Sequence, residues 1–83
     1  MTKKPQPKTI HRPDYARLTA LLRDHRARAG LSQLDMSAAL GRSQSYISDI
    51  ECGKRRIDLL QLADICDVLG MSLSRFVREF ENP

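Results

Sequence analysis

The sequence predicts an all-α domain built from five short helices. From about residue 14 onward, apolar residues recur at intervals of three and four, and no stretch alternates apolar and polar residues as a strand would. Four glycines and several serine and aspartate capping residues divide this pattern into short segments. With 83 residues, 41% of them hydrophobic, the chain is long enough for one small core.

The first helix is predicted over about residues 14–29. Asp14 is favourably placed at its positive N-terminus, and Gly30 ends it as a C-terminal cap residue. The inward face is formed by three leucines: Leu18, Leu21 and Leu22.

A second helix is predicted over residues 33–40 and is followed by Gly41. Ser32 can cap it, and Asp35, three residues later, completes a capping box. Three residues are expected to face inward: Met36, Ser37 and Leu40.

The third helix is predicted over residues 44–51, with Ser43 as its cap and Gly53 as its terminator. Ile47 and Ile50 are expected to face the core. A helix of about two turns is too short to persist in water without packing, so this one depends on its neighbours.

The last two helices are predicted over residues 59–69 and 73–80. Asp58 caps the first, with Gln61 as its capping-box partner, and Ser72 caps the second. The fourth helix ends at Gly70 and has an apolar stripe of five residues: Leu59, Leu62, Ile65, Cys66 and Leu69. The fifth has four residues on one side: Leu73, Phe76, Val77 and Phe80.

Charge is unevenly distributed along the chain, whose formal net charge is +4. Residues 1–13 hold four cations, no acid and three of the four prolines, so an extended, mobile basic arm is expected there. Residues 14–56 hold eight cations against five acids, and residues 57–83 hold two against five. The basic N-terminal two thirds favours a polyanionic partner, with nucleic acid the first candidate. The arm either has no role or contributes its four cations to binding that partner.

Several other classes of protein are disfavoured. Two cysteines do not make a disulfide scaffold, and no apolar run is long enough for a signal peptide or a membrane span, so a cytoplasmic protein without membrane contact is expected. The cysteines and histidines lack metal-ligand spacing, so neither a metal nor another cofactor is expected. The absence of a phosphate-binding glycine loop and of a nucleophile and base set argues against an enzyme.

The two cysteines themselves receive different interpretations. Cys66 falls on the apolar stripe of the fourth helix, so it is expected to be a small core residue. Cys52 lies at a helix end, where exposure is expected. A redox-sensing role for Cys52 is the weaker alternative.

The most informative segment is residues 33–53, in which two helices flank the tight turn at Gly41. So short a connection favours a near-perpendicular helix-turn-helix over antiparallel packing. The outer face of the second of these helices then carries four small or polar residues: Gln44, Ser45, Ser48 and Asp49. Such side chains can read base edges, while the basic run Lys54–Arg56 can hold phosphates or simply form a solvated loop.

From Leu22 to Phe76, the chain resembles the Cro/C1-type helix-turn-helix domain of phage and bacterial repressors, the XRE family. Two segments carry the resemblance: AGLSQLDMSAALGRSQSYISDIECGKRRID and LADICDVLGMSLSRF. The resemblance implies a compact, lambda-repressor-like fold of five helices over residues 14–81, with the helix-turn-helix at the second and third helices.

The resemblance also implies roles for individual residues. The positions that face DNA bases are Ser43, Gln44, Ser45 and Asp49, with Arg42 able to reach a base or the backbone. The positions that contact the DNA backbone are Gln33, Tyr46, Ser48, Lys54, Arg55 and Arg56. Arg26 and Glu51 match a pair that forms a salt bridge between the first and third helices. Gln44 is the sharpest of these candidates because a glutamine amide can pair with adenine through two hydrogen bonds.

Three positions depart from the family pattern. Ser37 replaces the usual alanine and adds a hydroxyl that needs a partner. Cys52 stands where a polar or basic residue often helps to hold phosphate. Asp49 places an acid against a polyanion, although it can accept a hydrogen bond from cytosine. These departures affect which operator sequence the protein recognises, and they leave the expected fold unchanged.

The expected function is that of a sequence-specific transcriptional regulator, a repressor or controller protein that binds double-stranded DNA as a homodimer. Phe80 and Phe76 are the candidate dimer contacts, with core filling the alternative for Phe76. The rival hypothesis is an antitoxin-type module that binds a small protein partner and also regulates its own promoter.

Overall fold

A computed structural model describes residues 13–83, which form five α-helices and contain no strand. The helices are α1 (Pro13–Arg28), α2 (Gln33–Ala39), α3 (Tyr46–Glu51), α4 (Leu59–Leu69) and α5 (Leu73–Glu81). The predicted all-α class with five helices is therefore confirmed. The predicted N-terminal arm lies outside the described residues, except for Pro13, which begins α1 instead of preceding it.

Local capping chemistry sets most helix starts. Ser32 and Asp35 form a complete capping box at α2, and Asp58 and Gln61 form another at α4. The Ser72 hydroxyl accepts a hydrogen bond from the backbone of α5. Three of the four predicted N-terminal caps are therefore present.

The start of α3 is the main correction to the predicted elements. The helix begins at Tyr46 rather than Gln44, because Gln44 and Ser45 form a turn ahead of it. The predicted cap at Ser43 is therefore wrong. Its backbone carbonyl, not its side chain, accepts a hydrogen bond from the Tyr46 N–H at 3.1 Å. Ser45 is the actual N-cap residue, and its side chain makes no capping hydrogen bond.

The core lies where α3 packs against α1 and α2, with α5 packed on α4 and α1. Nine buried residues form it: Leu22, Met36, Tyr46, Ile47, Ile50, Leu62, Ile65, Cys66 and Phe76. Cys66 is thus the small core residue expected, and burial raises the pKa of its thiol. Cys52 is exposed, also as expected.

Two apolar residues differ from their predicted positions. Phe76 is 0% exposed, so the prediction that it contacts a second copy is wrong, since its side chain has no surface left to contribute. Leu59 was expected on the buried stripe of α4 but is 64% exposed. Leu59 is the first residue of α4. Periodicity identifies the apolar face of a helix, but it does not show which end of that face extends beyond the neighbouring helices. No helix in residues 13–83 is long and apolar enough to cross a membrane.

The capping box of α2 should make the free energy of unfolding depend on pH in the acid range. The Ser32 backbone N–H donates to the Asp35 carboxylate at 3.0 Å, and this bond, aided by the Ser32 side chain, lowers the pKa of Asp35 below its usual 3.8. An acid with a lowered pKa stabilises the fold above its unfolded-state pKa, and the contribution is lost as pH falls through the folded-state pKa. We therefore expect Asp35→Asn to lower the free energy of unfolding at neutral pH.

Urea unfolding of both proteins across the acid range measures this effect. The two stabilities should converge as pH falls through the lowered folded-state pKa of Asp35, because the wild-type carboxylate then becomes protonated. A difference between the two proteins that stays constant with pH would show that the Asp35 charge contributes nothing.

Candidate nucleic-acid interface

The connection between α2 and α3 is a tight turn closed by backbone hydrogen bonds. Gly41 has a φ of 67°, a conformation that favours glycine, and its N–H donates to Ala38. The next N–H, that of Arg42, donates to the Ser37 carbonyl at 2.9 Å. These bonds fix the start of α3 relative to α2.

The Ser37 side chain supplies the cap that α3 lacks within its own segment. Ser37 is only 1% exposed, and its hydroxyl oxygen accepts a hydrogen bond from the Ile47 backbone N–H at 3.1 Å. A free N–H in the first turn of a buried helix would otherwise be left unsatisfied. The hydroxyl that departs from the family pattern therefore joins α2 to the N-terminus of α3.

Removing this hydroxyl should destabilise the domain. We expect Ser37→Ala to lower the free energy of unfolding by about 1–3 kcal/mol, because the buried Ile47 N–H loses its acceptor. Ser72→Ala is a useful comparison, since its hydroxyl caps α5 at an exposed site. Urea unfolding of both variants gives the two costs. A Ser37→Ala stability equal to wild type would show that the hydrogen bond adds nothing.

An ion pair between α1 and α3 lies behind the turn. Arg26 donates to both carboxylate oxygens of Glu51, from Nε at 2.6 Å and from Nη2 at 3.0 Å, and a third N–H donates to the Leu31 carbonyl. The Glu51 side chain is 4% exposed, and its hydrogen bonds raise the pKa of Arg26. Gln33 donates its amide to the same carboxylate at 2.9 Å. The structure thus brings Arg26 and Glu51 together. Gln33, which is expected to contact a phosphate, also stabilises the position of α3 through its hydrogen bond to Glu51.

Arg23 is a residue of this region that the sequence interpretation missed. It donates to the Glu51 backbone carbonyl at 3.2 Å, where α3 ends. The residues around Arg23 in the sequence do not indicate this contact, because its partner Glu51 lies 28 positions away. With Arg23, six residues line an open cleft along α3: Gln33, Ser48, Asp49, Glu51, Cys52 and Lys54.

The predicted base-facing residues lie together, although not all on one helix. Four consecutive residues of the turn are exposed: Arg42, Ser43, Gln44 and Ser45. Ser48 and Asp49 are half-buried on the outer side of α3. The polar surface therefore combines a turn with a short helix.

The basic run that follows α3 is held in place by its backbone. The amides of Lys54 and Arg55 both donate to the Asp49 carbonyl, at 2.9 and 3.1 Å. Tyr15 on α1 donates its hydroxyl to the Arg55 carbonyl at 2.9 Å. The side chains of Lys54, Arg55 and Arg56 remain exposed. A fixed backbone with free cationic side chains is suited to binding an anion.

Tyr46 does not present its ring to solvent as a backbone-contacting residue would. It is 3% exposed and belongs to the core. The guanidinium of Arg42 lies over the ring at 4.1 Å, and that of Arg55 lies at 5.3 Å. The prediction of a direct phosphate contact from Tyr46 does not fit this burial, since almost none of its side chain reaches the surface.

Ion pairing separates the cations of residues 13–83 into two groups. Five arginines of α1 and α5 have an acid partner: Arg17, Arg23, Arg26, Arg28 and Arg75. Four cations that flank α3 have none: Arg42, Lys54, Arg55 and Arg56. Within this part of the chain, Arg78 is the one other cation of lysine or arginine type without an acid partner. Unneutralised positive charge is therefore concentrated around α3.

A helix-turn-helix with polar side chains on its second helix and free cations on either side defines a DNA-binding domain. The helix-turn-helix domain family matches residues 17–76, and the chain belongs to this family. Its relatives identify it as a DNA-binding regulator of the XRE type.

Three similar proteins have informative descriptions. The ImmF control region 10 kDa protein of Bacillus phage phi105 is 36% identical over 61 residues, which span 74% of this chain and 68% of that protein. An XRE-family like protein from Pseudomonas syringae pv. tomato has a TM-score of 0.81 at 35% identity, covering 90% of this chain and 94% of its own. The clp gene regulator ClgR from C. glutamicum has a TM-score of 0.72 at 29% identity, covering 95% of both chains.

Proposed function

We propose that the protein is a sequence-specific transcriptional repressor or controller that binds an operator in double-stranded DNA as a homodimer, in the cytoplasm. The observation that carries this proposal is the segregation of cations. Four cations without acid partners flank α3, while most of those on α1 and α5 are neutralised. A polyanion gains most from binding where positive charge is not already paired.

The exposed side chains around α3 provide the means of reading sequence. Gln44 is exposed at the turn, where its amide can donate to and accept from one adenine, contributing about 1–3 kcal/mol of discrimination. Asp49 can accept a hydrogen bond from cytosine, and Ser43 and Ser45 can bond to several base edges. Lys54, Arg55 and Arg56 hold phosphates, which fixes the register of these contacts.

Dimerisation is proposed because members of this class read two half-sites about one helical turn apart. Because Phe76 lies in the core, Phe80 is the remaining candidate for a contact between the two copies of the dimer. It is half-buried, and the guanidinium of Arg17 lies 4.5 Å from the centre of its ring. The name of the phage relative, a control region protein, supports a regulatory role.

Selection from randomised duplex DNA tests this proposal most broadly. We expect the full chain to enrich an inverted repeat whose half-sites are centred about 10 base pairs apart. Gln44→Ala should enrich the same repeat with relaxed preference at one adenine in each half-site. Lack of enrichment across salt concentrations of about 50–200 mM would overturn the proposal and favour the antitoxin-type, protein-binding alternative.

A further inference from the structure

Two arginines from opposite sides of α3 converge on one buried aromatic ring. Arg42 comes from the turn before the helix, and Arg55 comes from the loop after it. Their guanidinium carbons lie 4.1 and 5.3 Å from the centre of the Tyr46 ring. Both distances fall within the range of a cation–π interaction, for which the electron-rich face of the ring supplies the attraction. We call this arrangement the Tyr46 stack.

Each arginine of the Tyr46 stack is anchored through its backbone. The Arg42 N–H donates to the Ser37 carbonyl at 2.9 Å, within the turn from α2. The Arg55 N–H donates to the Asp49 carbonyl, and the Arg55 carbonyl accepts from the Tyr15 hydroxyl. The two cations therefore start from positions fixed by α1, α2 and α3. Little backbone freedom is therefore lost when these two residues bind a ligand.

The charges of the Tyr46 stack are not neutralised by the protein. Neither Arg42 nor Arg55 forms an ion pair with an acid in residues 13–83. An aromatic face lowers the cost of bringing two like charges together, but it carries no formal negative charge. A ligand with a negative charge and several acceptor oxygens would complete the arrangement, and planar guanidinium groups match phosphate oxygens well.

We infer that Arg42 and Arg55 form a clamp on the phosphodiester backbone of DNA, with Tyr46 as the positioning residue that orients both guanidinium groups. This inference rests on the proposed function and deepens it, because it assigns Arg42 to the backbone rather than to a base. With its guanidinium carbon 4.1 Å from the centre of the Tyr46 ring, the Arg42 side chain is held against the protein rather than extended toward a base edge. The Tyr46 stack thus adds affinity and register, whereas Gln44 and its neighbours carry the sequence preference.

Salt titrations of DNA binding test the clamp, using the duplex recovered by selection and a duplex of scrambled sequence. Arg42→Ala and Arg55→Ala should each reduce the slope of log affinity against log salt by about one unit. The loss of affinity should be the same factor on both duplexes. Arg78→Ala is the matched control, since Arg78 is an exposed cation of α5 without an acid partner, and it should leave the slope unchanged.

Tyr46 variants separate positioning from a merely structural role. Tyr46→Phe keeps the ring and should retain the wild-type slope. Tyr46→Leu keeps an apolar core residue without the ring, and it should reduce the slope by up to about two units, because both arginines lose their support. A general loss of folded protein lowers the amplitude of binding but does not change this slope. If Tyr46→Leu does not fold, Arg42→Lys replaces it, since lysine keeps the charge but lacks the planar guanidinium and should retain only part of the slope.

Each outcome has a definite meaning. If Arg42→Ala keeps the wild-type slope but no longer discriminates between the two duplexes, the clamp is overturned and Arg42 contacts a base instead. A Tyr46→Leu slope equal to wild type, or an Arg42→Lys slope equal to wild type if that replacement is used, would overturn the positioning role. Failure of the wild-type protein to bind either duplex would instead overturn the proposed function itself.

Discussion

Glu51→Gln is expected to lower the free energy of unfolding by about 3–5 kcal/mol, the cost of removing one partner from a buried ion pair. Arg26 would keep its charge but face a neutral amide, whose oxygen can still accept one hydrogen bond while its NH2 group meets the other Arg26 donor. A domain of this size has a total stability of about 4–12 kcal/mol, so the melting temperature should fall by more than about 10 °C.

Thermal and urea unfolding of the wild type and three variants measure this effect. Glu79→Gln makes the same chemical change at a partly exposed carboxylate that pairs with His25 and Arg75, and it should cost much less than the change at Glu51. The double variant Arg26→Met with Glu51→Leu should recover most of the lost stability, because it leaves no buried charge. Equal losses at Glu51 and Glu79 would contradict a special role for the buried pair.

Neutralising the four unpaired cations around α3 should have the largest effect on DNA binding. We expect replacement of Arg42, Lys54, Arg55 and Arg56 by glutamine to reduce the salt slope by about three to four units and the affinity at low salt by about a thousandfold. The fold should be retained, because all four side chains are exposed, none takes part in an ion pair, and glutamine can still cover the Tyr46 ring.

A matched variant controls for the change in net charge. Glutamine at Arg17, Arg28, Arg75 and Arg78 removes the same formal charge from α1 and α5, where three of these four arginines are already paired. Its salt slope should stay close to wild type. If the two quadruple variants lose affinity equally, DNA responds to overall charge and the surface around α3 is not the interface.

Features that depend on neighbouring residues in the chain could be predicted from sequence. The number of helices and the caps at Ser32, Asp58 and Ser72 follow from spacing and side-chain chemistry within one turn. Such signals failed at α3, because the turn before it is closed by backbone hydrogen bonds, which any residue can make. Ser43 has the chemistry of a cap but lies too early to act as one.

Features that depend on distant contacts were beyond the sequence pattern. The sequence predicts that the Ser37 hydroxyl needs a partner, but the Ile47 N–H that bonds to it lies ten positions away. Tyr46 has an amphipathic side chain, and only the packing of α3 shows that its ring is covered by arginines. Phe76 could be placed on a helix face, yet its complete burial depends on where that face meets the rest of the core.

The surface formed by the turn, α3 and the basic run is the central claim, and an amide chemical-shift titration tests it most directly. Isotope-labelled protein would be titrated with the duplex recovered by selection. We expect the largest shifts from residues 42–56 and Gln33, with the exposed residues of α4 and α5 little affected outside a dimer contact near Phe80. Shifts confined to α4 and α5, with residues 42–56 unchanged, would contradict the account.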